Sequence, residues 1–420
     1  MSTTFSPVDP ASLPGAEELV AVRRAALARF EEGPLPSDAE EIWRYSRVGE
    51  LDPATWVPAP APAAADVEAA RGALARVLDR VGAGAACVLT VDGHLLDSST
   101  DIVAVRVGRA TADIDTLSAR AEPWDAFAEL NTAQAPDPIV IDVPAGVVVD
   151  APIVVVHWTA SGGRVTFPRV IVHAGRAAQA TVIEYHLSDD VRAWVDPVTE
   201  LHVGDGAHLT HITVQELGAS VWETALLTAT VGRDAVLHAT TVALGGDYAR
   251  SRTDSHVTGP GGSAQLAAIY CGSGSQMHDF RTLQDHEAPK SESNLLFKGA
   301  VADSASSAYS GLIRIRRGAA GTRAFQTNRN LILSDSGLAT YSVPNLDIEE
   351  NDVSCSHASA TGPIDADQRF YLESRGVPPE TADRLIVLGF FADVIDQLPG
   401  AALRAHVAAV IGAKLGVSGV

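Results

Sequence analysis

Cysteine is nearly absent: three occur in 420 residues, Cys87, Cys271 and Cys355, and none belongs to a C-x-x-C pair. That excludes a disulfide framework and a zinc site of C-x-x-C type, and it leaves too few thiolates for a four-cysteine metal centre. Positive charge is short as well, with 31 Lys and Arg against 52 Asp and Glu, a formal net charge of -21 and no basic run. A polyanion partner needs clustered cations on its phosphates, so DNA, RNA and an anionic membrane surface are excluded as partners. No apolar stretch reaches the roughly 20 residues of a membrane helix, and Met1 to Ala11 lacks the charged-then-apolar layout of a leader, so the expected location is cytoplasmic. Phosphate-loop, dinucleotide-fingerprint and G-x-S-x-G motifs are missing, which removes nucleotide binding and serine-hydrolase chemistry of those kinds.

What is present is 46% hydrophobic and 20% charged sequence, the balance of a soluble globular protein. Three textures divide it. Residues 1–137 are helical or mixed, with helices over Ala16–Glu31 and Ala65–Val81, and the Pro/Ala-rich run Val57–Ala65 between them reads as a linker. Glu40-Glu-Ile-Trp43-Arg44-Tyr45 is an aromatic-basic cluster, either a packing edge or a family signature.

Residues 138–363 carry short Val/Ile/Thr-rich strands, among them Ile139–Val143, Ile153–His157, Arg169–His173 and Thr181–Tyr185. Gly175, Gly204, Gly232 and Gly261 open similar turn-then-strand segments at intervals of 29, 28 and 29 residues. A unit of that length with two or three strands implies stacked coils, a β-helix, with a β-sandwich as the alternative. Coils need both ends covered, because an uncovered end exposes pairing edges. Residues 364–420 return to helix: Asp365 can cap a start, Gly376-Val-Pro-Pro breaks it, and Glu380–Leu398 places Ala382, Leu385, Ile386, Gly389, Phe390 and Val394 on one face.

The chemistry concentrates in Asn351-Asp-Val-Ser-Cys355-Ser-His357. On a strand, Cys355 and His357 project to the same side, so they can ligate one metal or act together on one sulfur; a buried Cys beside a surface His is the plainer reading. The acidic Glu349, Glu350 and Asp352 nearby either tune the imidazole or form a solvated edge. His202, His208, His211 and His238 read as scattered surface histidines, since His208 and His211 have opposite strand parity. Cys271 reads as a buried thiol.

Ala324-Phe-Gln326-Thr-Asn328-Arg-Asn330-Leu-Ile-Leu-Ser334, then Val343-Pro344-Asn-Leu-Asp-Ile348, then Asp352-Val-Ser-Cys355-Ser-His357, resembles the signature stretch of the SufB/SufD family of SUF iron-sulfur cluster assembly. Ser293-Asn-Leu-Leu-Phe297-Lys298-Gly299, Phe370-Tyr371-Leu-Glu-Ser-Arg375-Gly376 and Glu41-Ile-Trp43-Arg44-Tyr45 add to it; the strong similarity spans about residues 290 to 400. The form is SufD-like rather than SufB-like: Ala358, not glutamate, follows His357, and Leu338 to Pro344 holds no cysteine. Ala358 also replaces the family's usual glycine there.

The resemblance implies a right-handed parallel β-helix flanked by helical domains, a non-catalytic scaffold that pairs with a SufB-like subunit, possesses no stably bound cofactor of its own, and forms a homodimer when isolated. Each scaffold docks one SufC-type ABC ATPase through C-terminal helices, here through Phe370, Tyr371, Arg375, Phe390 and Phe391. ATP-driven ATPase dimerisation then exposes a nascent, transient iron-sulfur cluster site shared across the interface, to which this chain contributes His357 and Cys355. Three scattered cysteines suit such a shared site. A SufB-like paralogue, an adaptor with no metal role and a polysaccharide-active β-helix enzyme are the alternatives.

Overall fold

The structure is a computed structural model that describes residues 5–15, 17–82, 84–100, 104–110, 124–333 and 340–414. Among these, the strands form one sheet of twelve and one of ten, and from Val198–Val203 on, consecutive strands alternate between the two. Within the coils, neighbours in a sheet are parallel and one coil apart: His173 pairs with His202, and Gln179 with His208, which pairs in turn with Val236. That is a β-solenoid, and it sets the sandwich aside, since sandwich neighbours are antiparallel. The repeating glycines are required by the stacking of turns. A Cβ on Gly175 would stand 2.7 Å from the Ala145 nitrogen, and one on Gly204 2.9 Å from the Ala174 oxygen.

Ile141, Val155, Val172, Leu201, Leu237, Phe280 and Phe297 fill the lumen. The outer face of the ten-stranded sheet is also dry, because three helices cover it: α2 (Ala64–Val81), α5 (Pro379–Ile395) and α6 (Ala401–Lys414). Val77, Phe391 and Val407 lie there against Ile183, Tyr185 and Ile269. Strands buried on both faces lose polar alternation, so every residue of Ile153–Thr159 is buried. None of the helices described is long and apolar enough to cross a membrane.

The outer face of the twelve-stranded sheet is covered by the N-terminal segment with α1 (Glu17–Glu32) and α3 (Ala126–Gln134). Charge is buried here in pairs. Asp279 receives both Arg250 and Arg281, Arg252 joins Asp254 and Asp125, and Arg169 joins Glu200. Trp43 closes this layer, with the Arg250 guanidinium 3.6 Å over its ring and Phe127 edge-on at 5.5 Å. The aromatic-basic cluster is therefore a packing edge. Replacing Trp43 by alanine is expected to cost about 3–5 kcal/mol of unfolding free energy; a denaturant midpoint that does not move would contradict this packing role.

Helix positions match the sequence pattern within a residue for α1 and α2, although Ala16 lies outside the described residues. The linker is not wholly coil, since Val57–Pro58 pairs with Arg164–Val165. The sheets also begin before residue 138: Ala86–Val91 runs parallel to Ile153–Trp158, and Arg106–Arg109 antiparallel to Ile139–Asp142. In the C-terminal part, the Asp365 carboxylate accepts the Asp367 and Gln368 N–H groups to start α4 (Ala366–Ser374), and Gly376 takes φ 85° where the chain turns into α5.

Candidate functional site at the open end of the solenoid

The last coil consists of strands Thr340–Ile348 and Val353–Pro363, and each pairs on one side only among the described residues. Cys355 is in register with Ala324, His357 with Gln326, Ser359 with Asn328 and Thr361 with Asn330. Those four partners are all buried, so the Cys355–His357 series continues a lumen-facing ladder out to the open edge. Cys355 is half-buried against Ile313, Ile315, Ala319 and Ala324, whereas His357 is exposed. Burial pushes the Cys355 thiol up, so it stays protonated at neutral pH until a metal displaces the proton.

Polar groups continue inward from this edge. The Ser359 hydroxyl donates to Ser342 Oγ at 2.7 Å, Ser342 to Asn328 Oδ1 at 2.8 Å, and Asn328 Nδ2 to the Tyr270 hydroxyl at 2.9 Å. Directly behind His357, both amide atoms of Gln326 are buried without a hydrogen-bond partner. An unsatisfied buried amide beside an exposed imidazole marks a place where further ligands fit.

On the other sheet, the last strand exposes Tyr341, Leu346 and Ile348, each about 40% accessible. Tyr45 stacks on Tyr341 at 4.1 Å, Asn345 donates to Glu41, and Arg281 donates to the Arg44 carbonyl at 2.6 Å. The Glu41–Tyr45 motif thus braces the terminal coil. The acidic run serves its turn: Glu350 accepts the Gly318 and Asn351 N–H groups, and these backbone bonds hold its carboxyl below the usual range. Ser334 and Leu338 of the signature stretch lie outside the described residues.

The residues expected to dock the ATPase do not share one environment. Phe370 and Tyr371 on α4 are 71% and 58% exposed, with the Arg375 guanidinium over the Tyr371 ring. Phe390 is half-buried beneath Lys298, beside a groove of about 930 Å³ lined by Arg329, Leu331, Leu372 and Leu385. Phe391 is fully buried and anchors α5 to the sheet, so it offers no surface to a partner.

Of the four histidines read as surface residues, His208 and His238 are exposed, and His202 is half-buried and stacked on His173 at 4.7 Å. His211 is the correction. It is fully buried in the lumen, its Nε2 3.0 Å from Glu184 Oε2. Parity separates it from His208, as expected, but the side opposite His208 is the lumen and not a second wet face. His157, Glu184 and His186, all buried beside it, were not singled out in the sequence; the signal was there in the 29-residue step from His157 to His186. Cys271 is buried under α5 and α6, outside the lumen, where burial pushes its thiol up to about 11.

The family described as SUF system FeS cluster assembly, SufBD core domain, matches residues 157–390. The chain is 35% identical over 321 residues to the iron-sulfur cluster assembly SufBD family protein Rv1462 of Mycobacterium tuberculosis, covering 74% of this chain and 77% of that one. It is 31% identical to the iron-sulfur cluster assembly protein SufD of Bacillus subtilis, over 65% of this chain and 63% of that one. With SufD of Escherichia coli the identity is 28%, over 91% and 89%.

Proposed function

Because the chain belongs to the SufB/SufD family of iron-sulfur cluster assembly proteins, we propose that it is the SufD-type scaffold of a SUF complex, joined to a SufB-like subunit through the open end of its solenoid. The observation that carries this reading is the pairing of the last strand. Among the described residues Val353–Pro363 has a free edge, and that edge presents His357 and Cys355 beside the unsatisfied Gln326. A second solenoid adding strands there would bring its own ligands to the same two side chains. The cluster is cargo; the imidazole and the thiolate supply two donors suited to iron, and the partner supplies the rest.

The SufD assignment rests on the Cys355-Ser-His357-Ala358 sequence and on relatives that bear the name SufD. Residues 364–420 are the part that docks a SufC-type ATPase, with Phe370, Tyr371 and Arg375 as the exposed contact and Phe390 at its edge. Chemical turnover belongs to that partner; this chain holds and positions. Co-expression with its SufB-like and SufC-like partners is expected to yield one complex with a single copy of each scaffold and two ATPase subunits. Recovery of this chain only in free form would overturn the proposal.

A further inference from the structure

Apart from the terminal coil, one set of ionisable side chains meets inside the lumen. His157 and His186 lie in register on adjacent strands, and Glu184 lies two residues before His186 on the same side of its strand. Nε2 of His157 and Nε2 of His186 stand 3.2 and 3.1 Å from Glu184 Oε1. All three residues are at most 3% exposed, and one donor atom from each lies within 4.8 Å of the others.

Hydrogen bonding alone leaves this cluster unsatisfied. His157 Nε2, although close to Oε1, is not aligned to bond it and has no other partner, and Nδ1 of His186 is buried without one. The groups bonded to Glu184 are imidazoles and a hydroxyl: His186, His211 and Thr199, the last 3.0 Å from Oε2. No guanidinium or ammonium is among them. The countercharge that a buried carboxylate needs must therefore come from an imidazolium or from a bound cation.

The second His/acid group of this protein shows the contrast. His256, Asp285 and Glu287 also converge, but Arg316 donates to both Asp285 oxygens and provides the cation.

We propose that His157, His186 and Glu184 bind a divalent first-row metal ion, Zn²⁺ or Fe²⁺, in the lumen of the solenoid. Two histidines and one carboxylate form a donor set suited to such ions. Ligands about 2.1 Å from a tetrahedral ion stand roughly 3.4 Å apart, close to the two nitrogen–oxygen spacings already present, 3.2 and 3.1 Å. With the ion on Nε2, His157 Nδ1–H donates a hydrogen bond to the Thr90 hydroxyl 2.7 Å away, which fixes the ring's tautomer. His211 and Thr199 hold Oε2, and an ion would take the place of the His186 bond and the longer Thr199 bond at Oε1. A cavity of about 30 Å³ lined by His186, Thr199, Gln215 and Glu223 has room for one water as a further ligand. The site lies several coils from His357 and does not depend on the interface role of that residue.

The ion is buried, so the test loads it during folding. The full chain is unfolded with chelator, refolded with Zn²⁺, with Fe²⁺ under anaerobic conditions, or with neither, then desalted and assayed for metal. One ion per chain is expected for wild type and for His357→Ala, and none for His157→Gln/His186→Gln. Refolding with Co²⁺ is expected to give ligand-field bands without sulfur charge transfer. His211→Ala, which leaves the three donors in place, is expected to weaken binding about 10–100-fold, and this reading decides the matter if the double variant does not fold. A metal-free wild type, an ion retained by the double variant, a cobalt-sulfur band or unchanged affinity in His211→Ala would each overturn the site.

Discussion

Replacing His357 by alanine is expected to abolish iron-sulfur cluster maturation in cells while leaving the SUF complex assembled. His357 is exposed on the last strand and pairs only through its backbone, so its removal should change the stability of the chain by no more than about 0.5 kcal/mol. Its imidazole is exposed at the open edge. The neighbouring Cys355 is half-buried with a raised thiol pKa, and Cys355→Ser should have the milder effect. The measurement is the activity of a cluster-dependent reporter enzyme in cells lacking the native gene, beside copurification of the partners. Loss of at least tenfold in reporter activity with unchanged copurification is the expected pair of results. Unchanged maturation would remove the ligand role and leave an adaptor without metal chemistry.

The second large effect concerns assembly. Leu346 and Ile348 are about 40% exposed on the terminal strand of the twelve-stranded sheet, where a partner solenoid would bury them. Burying two such side chains contributes on the order of 3 kcal/mol, and lysine in their place adds a desolvation cost. Leu346→Lys/Ile348→Lys should therefore weaken association with the SufB-like subunit by at least about 100-fold. The melting temperature of the isolated chain should stay within a degree or two, because lysine is well tolerated on an edge strand. Binding to the partner measured by titration, with a thermal melt as control, tests this; wild-type affinity would place the interface elsewhere.

Much of the architecture was legible because it is periodic. Gly175, Gly204 and Gly232 mark the coil rise since each turn leaves no space for a Cβ, a constraint that leaves its trace residue by residue. Asp365 announced α4 through its own side-chain bonds. The His157–Glu184–His186–His211 group was not legible for a different reason. Strand parity says which residues share a side, but not whether that side faces water or the lumen. The cluster exists only when separate coils are laid in register. Phe391 illustrates the same limit on a helix: next to Phe390 in sequence, it turns to the sheet and disappears into the core.

The two ends of the solenoid are unlike. At the first end the outermost strands, His94–Thr100 and Arg106–Arg109, run antiparallel to their neighbours, while at the last end the outermost strands are parallel; among the described residues each of the four pairs on one side only. In the proposed complex only the parallel end continues the coil register, which gives this body a valence of one. Two copies meeting by that end exhaust it and form a closed pair, and a copy meeting a homologue does the same, so neither encounter can propagate into a fibre. If the proposed interface holds, choice of partner becomes a competition for a single berth between a second copy of this chain and a SufB-like subunit.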